Sequence, residues 1–124
     1  AKTLFPYTTL FRSYHMNIEE ADIEQCIVDT GDYLGYFHIG ESNRGYLGAG
    51  SIDFDKIFRG LARAGYKGPI TFESFSSTVV NKQLSGILAI WRNLWEDSSD
   101  LAGHARDFIR ANLKAALEAQ QRRG

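Results

Sequence analysis

Two short apolar runs, Tyr33-Leu-Gly-Tyr-Phe-His-Ile39 and Pro69-Ile-Thr-Phe72, constrain this chain more than any other feature. Each is flanked by glycine, and each has the length and side chains of a buried strand. Between them, Phe54, Ile57, Phe58 and Leu61 fall at helical spacing after Asp53, and Gly65 ends that pattern. Strands that alternate with helices imply crossover connections, and crossovers imply a parallel sheet of one hand.

The flanking segments extend the alternation. Asn17 with Glu20 forms a capping-box-like pair, Ile23 and Ile27 share one face, and Gly31 is a plausible stop, so one helix is expected here. Gly40 to Gly50 is a glycine-rich loop. A third helix is expected over 81–95, with Leu84, Ile87, Leu88, Trp91, Leu94 and Trp95 as its apolar face. The last runs over 101–121, with Ala105, Phe108, Ile109, Leu113, Ala116 and Leu117 repeating at three and four residues. Two strands do not close a sheet, and a (β/α)8 barrel takes about 250 residues. The expected class is therefore α/β, the C-terminal part of a (β/α)8 TIM barrel, incomplete in these 124 residues.

Composition narrows the options. Hydrophobic residues at 44% and charged residues at 23% exclude a disordered chain. No stretch approaches the roughly 20 apolar residues of a membrane span, so no membrane partner is expected. A lone cysteine, Cys26, excludes a disulfide framework and a cysteine-based zinc cluster, and it fits a reducing cytoplasm. A net charge of -1 gives no reason to expect nucleic acid. Basic residues do gather on the last helix (Arg106, Arg110, Lys114, Arg122, Arg123), which reads as a solvated face.

The opening residues stand apart. Residues 3–13, Thr-Leu-Phe-Pro-Tyr-Thr-Thr-Leu-Phe-Arg-Ser, have no clear period. Over all eleven they resemble the conceptual translation of a common sequencing-library adapter. Residues 1–13 are therefore expected to be foreign to the fold and 14–124 native, with the natural gene continuing upstream.

Polar residues collect where the strands end. His38 closes the first strand ahead of Gly-Glu-Ser-Asn-Arg44, and Glu73 closes the second. Both strands run into a βα loop there, and in α/β sheets that rim is where chemistry sits. An imidazole and a carboxylate on neighbouring strand ends suit a shared divalent cation. His15 lies at another strand-to-helix junction, and Arg44 follows onto a rim loop where it suits an oxygen-rich ligand. Cys26 lies on a helix away from the rim, which argues against a nucleophile.

His15-Met-Asn-Ile-Glu-Glu20, Phe37-His-Ile-Gly-Glu-Ser-Asn-Arg44 and Thr71-Phe-Glu-Ser-Phe75 resemble the ketose 3-epimerases, a group within the xylose isomerase-like sugar isomerase/epimerase barrels. The likeness covers nearly all of 14–110. It implies one divalent metal, manganese first and magnesium or cobalt otherwise, in the intact parent. It implies His38 and Glu73 as metal ligands, and His15 and Arg44 as substrate-binding residues. Glu73 becomes one half of the acid–base pair that inverts C3 of a ketose through an enediolate. A small-molecule sugar partner and a homodimeric or homotetrameric parent follow from the same likeness.

The departures from the pattern matter as well. The metal-binding aspartate of that family stands three residues before the histidine that His15 matches, and here that position is Arg12. The first glutamate has no counterpart. The chain by itself is thus expected neither to bind metal tightly nor to turn over a sugar. The competing readings are another barrel enzyme of the inosose dehydratase or hydroxypyruvate isomerase type, and a non-catalytic assembly module built on open sheet edges.

Overall fold

The computed structural model describes residues 9–124. In chain order these form β1 (Thr9–Arg12), α1 (Ser13–Glu19), α2 (Ile23–Thr30), a single 3-10 turn (Gly31–Tyr33), β2 (Leu34–Ile39), α3 (Phe54–Arg63), β3 (Ile70–Phe72), α4 (Lys82–Ile87) and α5 (Ser98–Arg123). The strands make one parallel sheet in the order β1-β2-β3, with the helical crossover expected between β2 and β3.

The sheet holds one strand more than the sequence reading allowed. Thr9–Arg12, within the adapter-like run, pairs with the edge of β2. Its Thr, Leu and Phe side chains favour extended backbone, and β2 offers unpaired N–H and C=O groups on that side. Ser13 anchors the junction: its buried hydroxyl donates to the Gly40 carbonyl at 2.7 Å and accepts from the Gly40 N–H at 2.8 Å. Residues 9–13 are thus part of this fold, and residues 3–8 of that run lie outside the described residues.

Side chains alternate across the sheet. Phe37 and Ile39 of β2 point to one face and are fully buried, with Phe11, Ile70 and Phe72 packed beside them. Ile27 of α2 and Ile57, Phe58 and Leu61 of α3 cover that face. The opposite face carries Leu10 and Tyr36, each 40% exposed, together with Arg12 and His38.

Helix α3 matches its expectation. The Asp53 carboxylate accepts from the Lys56 N–H at 3.2 Å, and Gly65 takes a φ of 66° just beyond the helix end. Gly60 faces α2, where a Cβ would stand 3.1 Å from both the Glu24 carbonyl and Ile27 Cβ. Glu24 also receives Arg59 at 3.1 Å and Arg63 at 2.9 Å, so packing and charge hold α2 to α3.

Three helical expectations need correction. The first helix is two: Asn17 lies inside α1, and Asp22 caps α2 by accepting from the Gln25 N–H at 3.0 Å. The helix expected over 81–95 stops at Ile87. Ala89 takes a φ of 53°, and the chain then folds back, with the Ser77 N–H donating to the Arg92 carbonyl at 3.4 Å. Its supposed apolar face is not buried, for Ile87 is 73% and Trp91 75% exposed. Helix α5 is capped by Asp97, which accepts from the Ser99 and Asp100 N–H groups. Its Leu101 and Ala105 are buried, Phe108, Ile109, Leu113 and Ala116 are half-buried, and Leu117 is largely exposed, so the contact with α3 is narrower than the repeat suggested. No helix among the described residues is long and apolar enough to cross a membrane.

Ile57 of α3 has no exposed surface and lies in the core cluster that α3 shares with α2 and the sheet. Ile57→Ala is expected to lower unfolding free energy by about 2–5 kcal/mol through lost burial and a residual cavity, read by urea denaturation.

Candidate active site

Pairing register builds this site. Arg12 lies opposite His38, and His38 opposite Thr71, so their side chains share the open face of the sheet. Glu73 is two residues beyond Thr71 and returns to that same face. Its N–H donates to the Ile39 carbonyl at 2.9 Å, which extends the pairing past β3. His38 Nδ1 then stands 3.2 Å from Glu73 Oε2. The Arg12 Nε lies 3.7 Å from that same oxygen. Tyr36, two residues earlier on β2, meets the His38 ring edge-on at 5.1 Å.

His15 arrives from α1 and Arg44 from the loop after β2. His15 is in the first turn of α1, with the Tyr14 ring edge-on at 5.2 Å. Arg44 has a φ of 63°, and its guanidinium lies 4.4 Å over the Tyr14 ring and 5.6 Å from the Phe75 ring. Its Nη1 donates to the Leu88 carbonyl at 2.7 Å. A pocket of about 180 Å³ is lined by Arg12, His15, His38, Arg44 and Glu73, so all four residues singled out in the sequence face one space.

The sequence reading missed what shapes that space. Tyr14, Phe75 and Leu88 form its apolar wall. Their signal was present, because Tyr14 and Phe75 stand next to or near the singled-out polar residues. Leu88 was assigned to a helix face, so the structure alone reveals its place. Glu41 was missed too. It is fully buried, and its Oε1 accepts from the Ser42 and Ile52 N–H groups at 2.8 and 3.2 Å. Its Oε2 accepts from the Gly48 N–H at 2.9 Å. One carboxylate thus organises the whole loop from Ser42 to Ile52, and that loop carries Arg44. Gly50 allows this approach, since a Cβ there would stand 2.5 Å from Glu41 Oε1.

The pocket's chemistry follows. Glu73 is the one lining carboxylate open to a ligand, because amides occupy Glu41. Arg44, His15 and His38 line the same pocket with nitrogen groups suited to hydroxyl or carbonyl oxygens. A divalent cation fits poorly in this chain as it stands. His38 and Glu73 offer two donors, the Arg12 guanidinium lies against one of them, and no group of three or more His, Cys, Asp or Glu is placed to hold a metal among the described residues. Like charge at that distance opposes a bound cation.

Cys26 lies on α2, away from this rim, as expected. Burial, then the neighbouring Glu20 carboxylate, pushes its thiol above the ordinary cysteine range. At pH 8 the reactive thiolate is therefore scarcer than in a free cysteine. Iodoacetamide is expected to modify Cys26 in the native chain more slowly than in the urea-unfolded chain, read by mass spectrometry. Glu41→Gln replaces one acceptor oxygen with an N–H2 facing loop amides. It is expected to cost about 2 kcal/mol and to speed hydrogen exchange at Gly48 and Ile52.

Comparison with known proteins is consistent with this geometry. Residues 8–112 match the family described as the xylose isomerase-like TIM barrel. Over 103 residues the chain is 59% identical to a ketose 3-epimerase of Arthrobacter globiformis, covering 83% of this chain and 36% of that one. A solved L-ribulose 3-epimerase superposes with a TM-score of 0.88 at 48% identity, covering 92% of this chain and 38% of that one. A D-allulose 3-epimerase from Methylomonas sp., solved in complex with D-allulose, superposes with a TM-score of 0.80 at 53% identity, covering 85% and 36%. The chain therefore spans somewhat over a third of the length of these relatives. With a three-stranded parallel sheet, its helices on one face and its polar residues at the strand ends, the chain belongs to the xylose isomerase-like TIM barrel family.

Proposed function

We propose that this chain is the C-terminal part of a ketose 3-epimerase, an isomerase that inverts C3 of a ketose by proton transfer through an enediolate. The observation that carries this reading is the gathering of His15, His38, Arg44 and Glu73 around one pocket. Identity of 59% to a ketose 3-epimerase supports it. A proton beside a carbonyl is a weak acid, and its removal needs a base on one face of the sugar and an acid on the other. Glu73 serves one face. Glu41 cannot serve the other, because three backbone N–H groups hold its oxygens. In this reading the second carboxylate is brought to this same pocket by another part of the whole protein.

In this reading His15 and Arg44 hold the sugar's oxygens. His38 and Glu73 are the two ligands this chain contributes to a divalent metal, with manganese preferred over magnesium or cobalt. Arg12 is the mismatch, and the adapter-like run that contains it is proposed to stand in place of the native strand. The whole protein is proposed to be a cytoplasmic homodimer or homotetramer acting on a small ketose.

Two measurements test this. Calorimetric titration of the 124-residue chain with Mn2+ is expected to show no tight binding, and Arg12→Asp is expected to increase the affinity. A chimera is the second: residues 12–112, carrying Arg12→Asp, replace the matching segment of the Arthrobacter globiformis enzyme. It is expected to epimerise D-allulose with Mn2+, and Glu73→Gln within it to lose at least a hundredfold in kcat, on the order of a lost general base. A folded chimera without activity, or one indifferent to Glu73→Gln, would sink the reading.

A further inference from the structure

Arg44 and Ala89 are the two non-glycine residues with positive φ among the described residues, at 63° and 53°. One hydrogen bond links their neighbourhoods, from Arg44 Nη1 to the carbonyl of Leu88, the residue just before Ala89. For a residue with a Cβ that conformation is disfavoured, and it persists where the surroundings over-determine it.

The surroundings of Ala89 do so. Ser85 grips the turn from both sides. Its carbonyl accepts from the Ile90 N–H at 2.8 Å, and its hydroxyl donates to the Ile90 carbonyl at 2.6 Å. The Leu88 N–H is tied to the Leu84 carbonyl at 2.9 Å, and the Ala89 N–H to the Gly86 carbonyl at 3.3 Å. With residues 85 and 90 clasped, the Leu88 carbonyl is turned out of the helix and toward the rim loop.

The other partner is held as firmly. The Arg44 N–H donates to the Glu41 carbonyl at 2.9 Å, and the Arg44 carbonyl accepts from the Phe75 N–H at 3.2 Å and from the Ser74 hydroxyl. The guanidinium has an aromatic ring on two sides and, among the described residues, the Leu88 carbonyl as its one hydrogen-bond acceptor. That carbonyl therefore selects which rotamer the arginine adopts. Tyr14, Arg44 and Leu88 also border a second cavity of about 180 Å³, so this contact is the partition between two spaces.

We propose that the Ser85–Ile90 turn is a positioning device for Arg44: Ser85 and Ala89, neither of which lines the pocket, aim the Leu88 carbonyl so that the guanidinium is fixed as the pocket's end wall. The identity of the ligand that meets this wall rests on the epimerase reading, whereas the placement of Arg44 does not.

The test uses the intact 124-residue chain, with the Arg44 side-chain N–H resonances followed by 15N NMR. In the parent, Arg44 is expected to show ring-shifted signals with slowed exchange. Ala89→Gly relieves the strain and is expected to leave them unchanged. Ala89→Val puts a β-branched residue at positive φ and is expected to return them to the exposed-arginine position. Ser85→Ala is expected to do the same in part, and Ser85→Thr to restore them. Ser85 lies outside the core, so its variants decide the matter should Ala89→Val unfold. Arg44 signals that stay at parent values in folded Ser85→Ala and Ala89→Val would overturn the proposal. In the chimera, Ser85→Ala is expected to raise KM several-fold with kcat within about twofold, the pattern of lost binding rather than lost chemistry. An inactive chimera alongside the expected NMR changes would reject the epimerase reading and leave the positioning device standing.

Discussion

Everything at the rim of this molecule depends on the register between β1, β2 and β3. Side chains alternate with a period of two, so a slip of one residue would exchange the two faces of a strand. His38 would then turn into the helix-covered core, and Phe37 would face the open side. Burial of Phe37 and Ile39 against Ile57 and Phe58 prevents that exchange. The hydrophobic core thus places the imidazole beside Glu73 by fixing which face of β2 it occupies. The bond from the Glu73 N–H to Ile39 carries the same register one step past the last strand.

Loops depend on a different force. Glu41 is fully buried, and a buried carboxylate without partners is costly. Here three amides from the loop it precedes satisfy it, so burial of the charge and closure of the loop are one event. The closed loop meets α5 through Gly48 against Phe108 and through His104 Nε2, 2.9 Å from the Leu47 carbonyl. It also delivers Arg44 to the rim, where two aromatic rings and a turn carbonyl fix the guanidinium. A rigid scaffold and a polar-locked loop together give the pocket its shape.

Arg12 shows how local preference and site chemistry separate. As part of a strand, Thr9–Arg12 satisfies the edge of β2, and its register is regular from Leu10 to Arg12. As a site residue, Arg12 sets a guanidinium against Glu73, where a divalent cation would need another anionic donor. Backbone pairing is indifferent to which side chain a strand carries. A strand can therefore complete the sheet and still set a cation beside Glu73, where it opposes any bound metal ion.

Much of this was legible in the sequence, for physical reasons. The strands over 34–39 and 70–72, helix α3 with its Asp53 cap and Gly65 stop, and the long terminal helix follow from periodicity and capping, which are local. His38 and Glu73 stood out because each is polar at the end of an apolar run, and parallel strands must bring such ends together; His15 stood out at a strand-to-helix junction and Arg44 on the glycine-rich rim loop. Other features were decided by contacts distant in sequence. Helix α4 stops at Ile87 although its apolar spacing continues, because Ser85 clasps Ile90 and Ala89 turns the chain back. Thr9–Arg12 becomes a strand because β2 offers an open edge. Glu41 looks like any loop glutamate until Gly48 and Ile52 close around it. The sequence by itself determined the alternating elements and the chemistry at their ends, since both are written in neighbouring residues. The tertiary structure alone decided which carboxylate opens onto the pocket, where Arg44 points and what stands beside Glu73, because those depend on groups that only folding brings together.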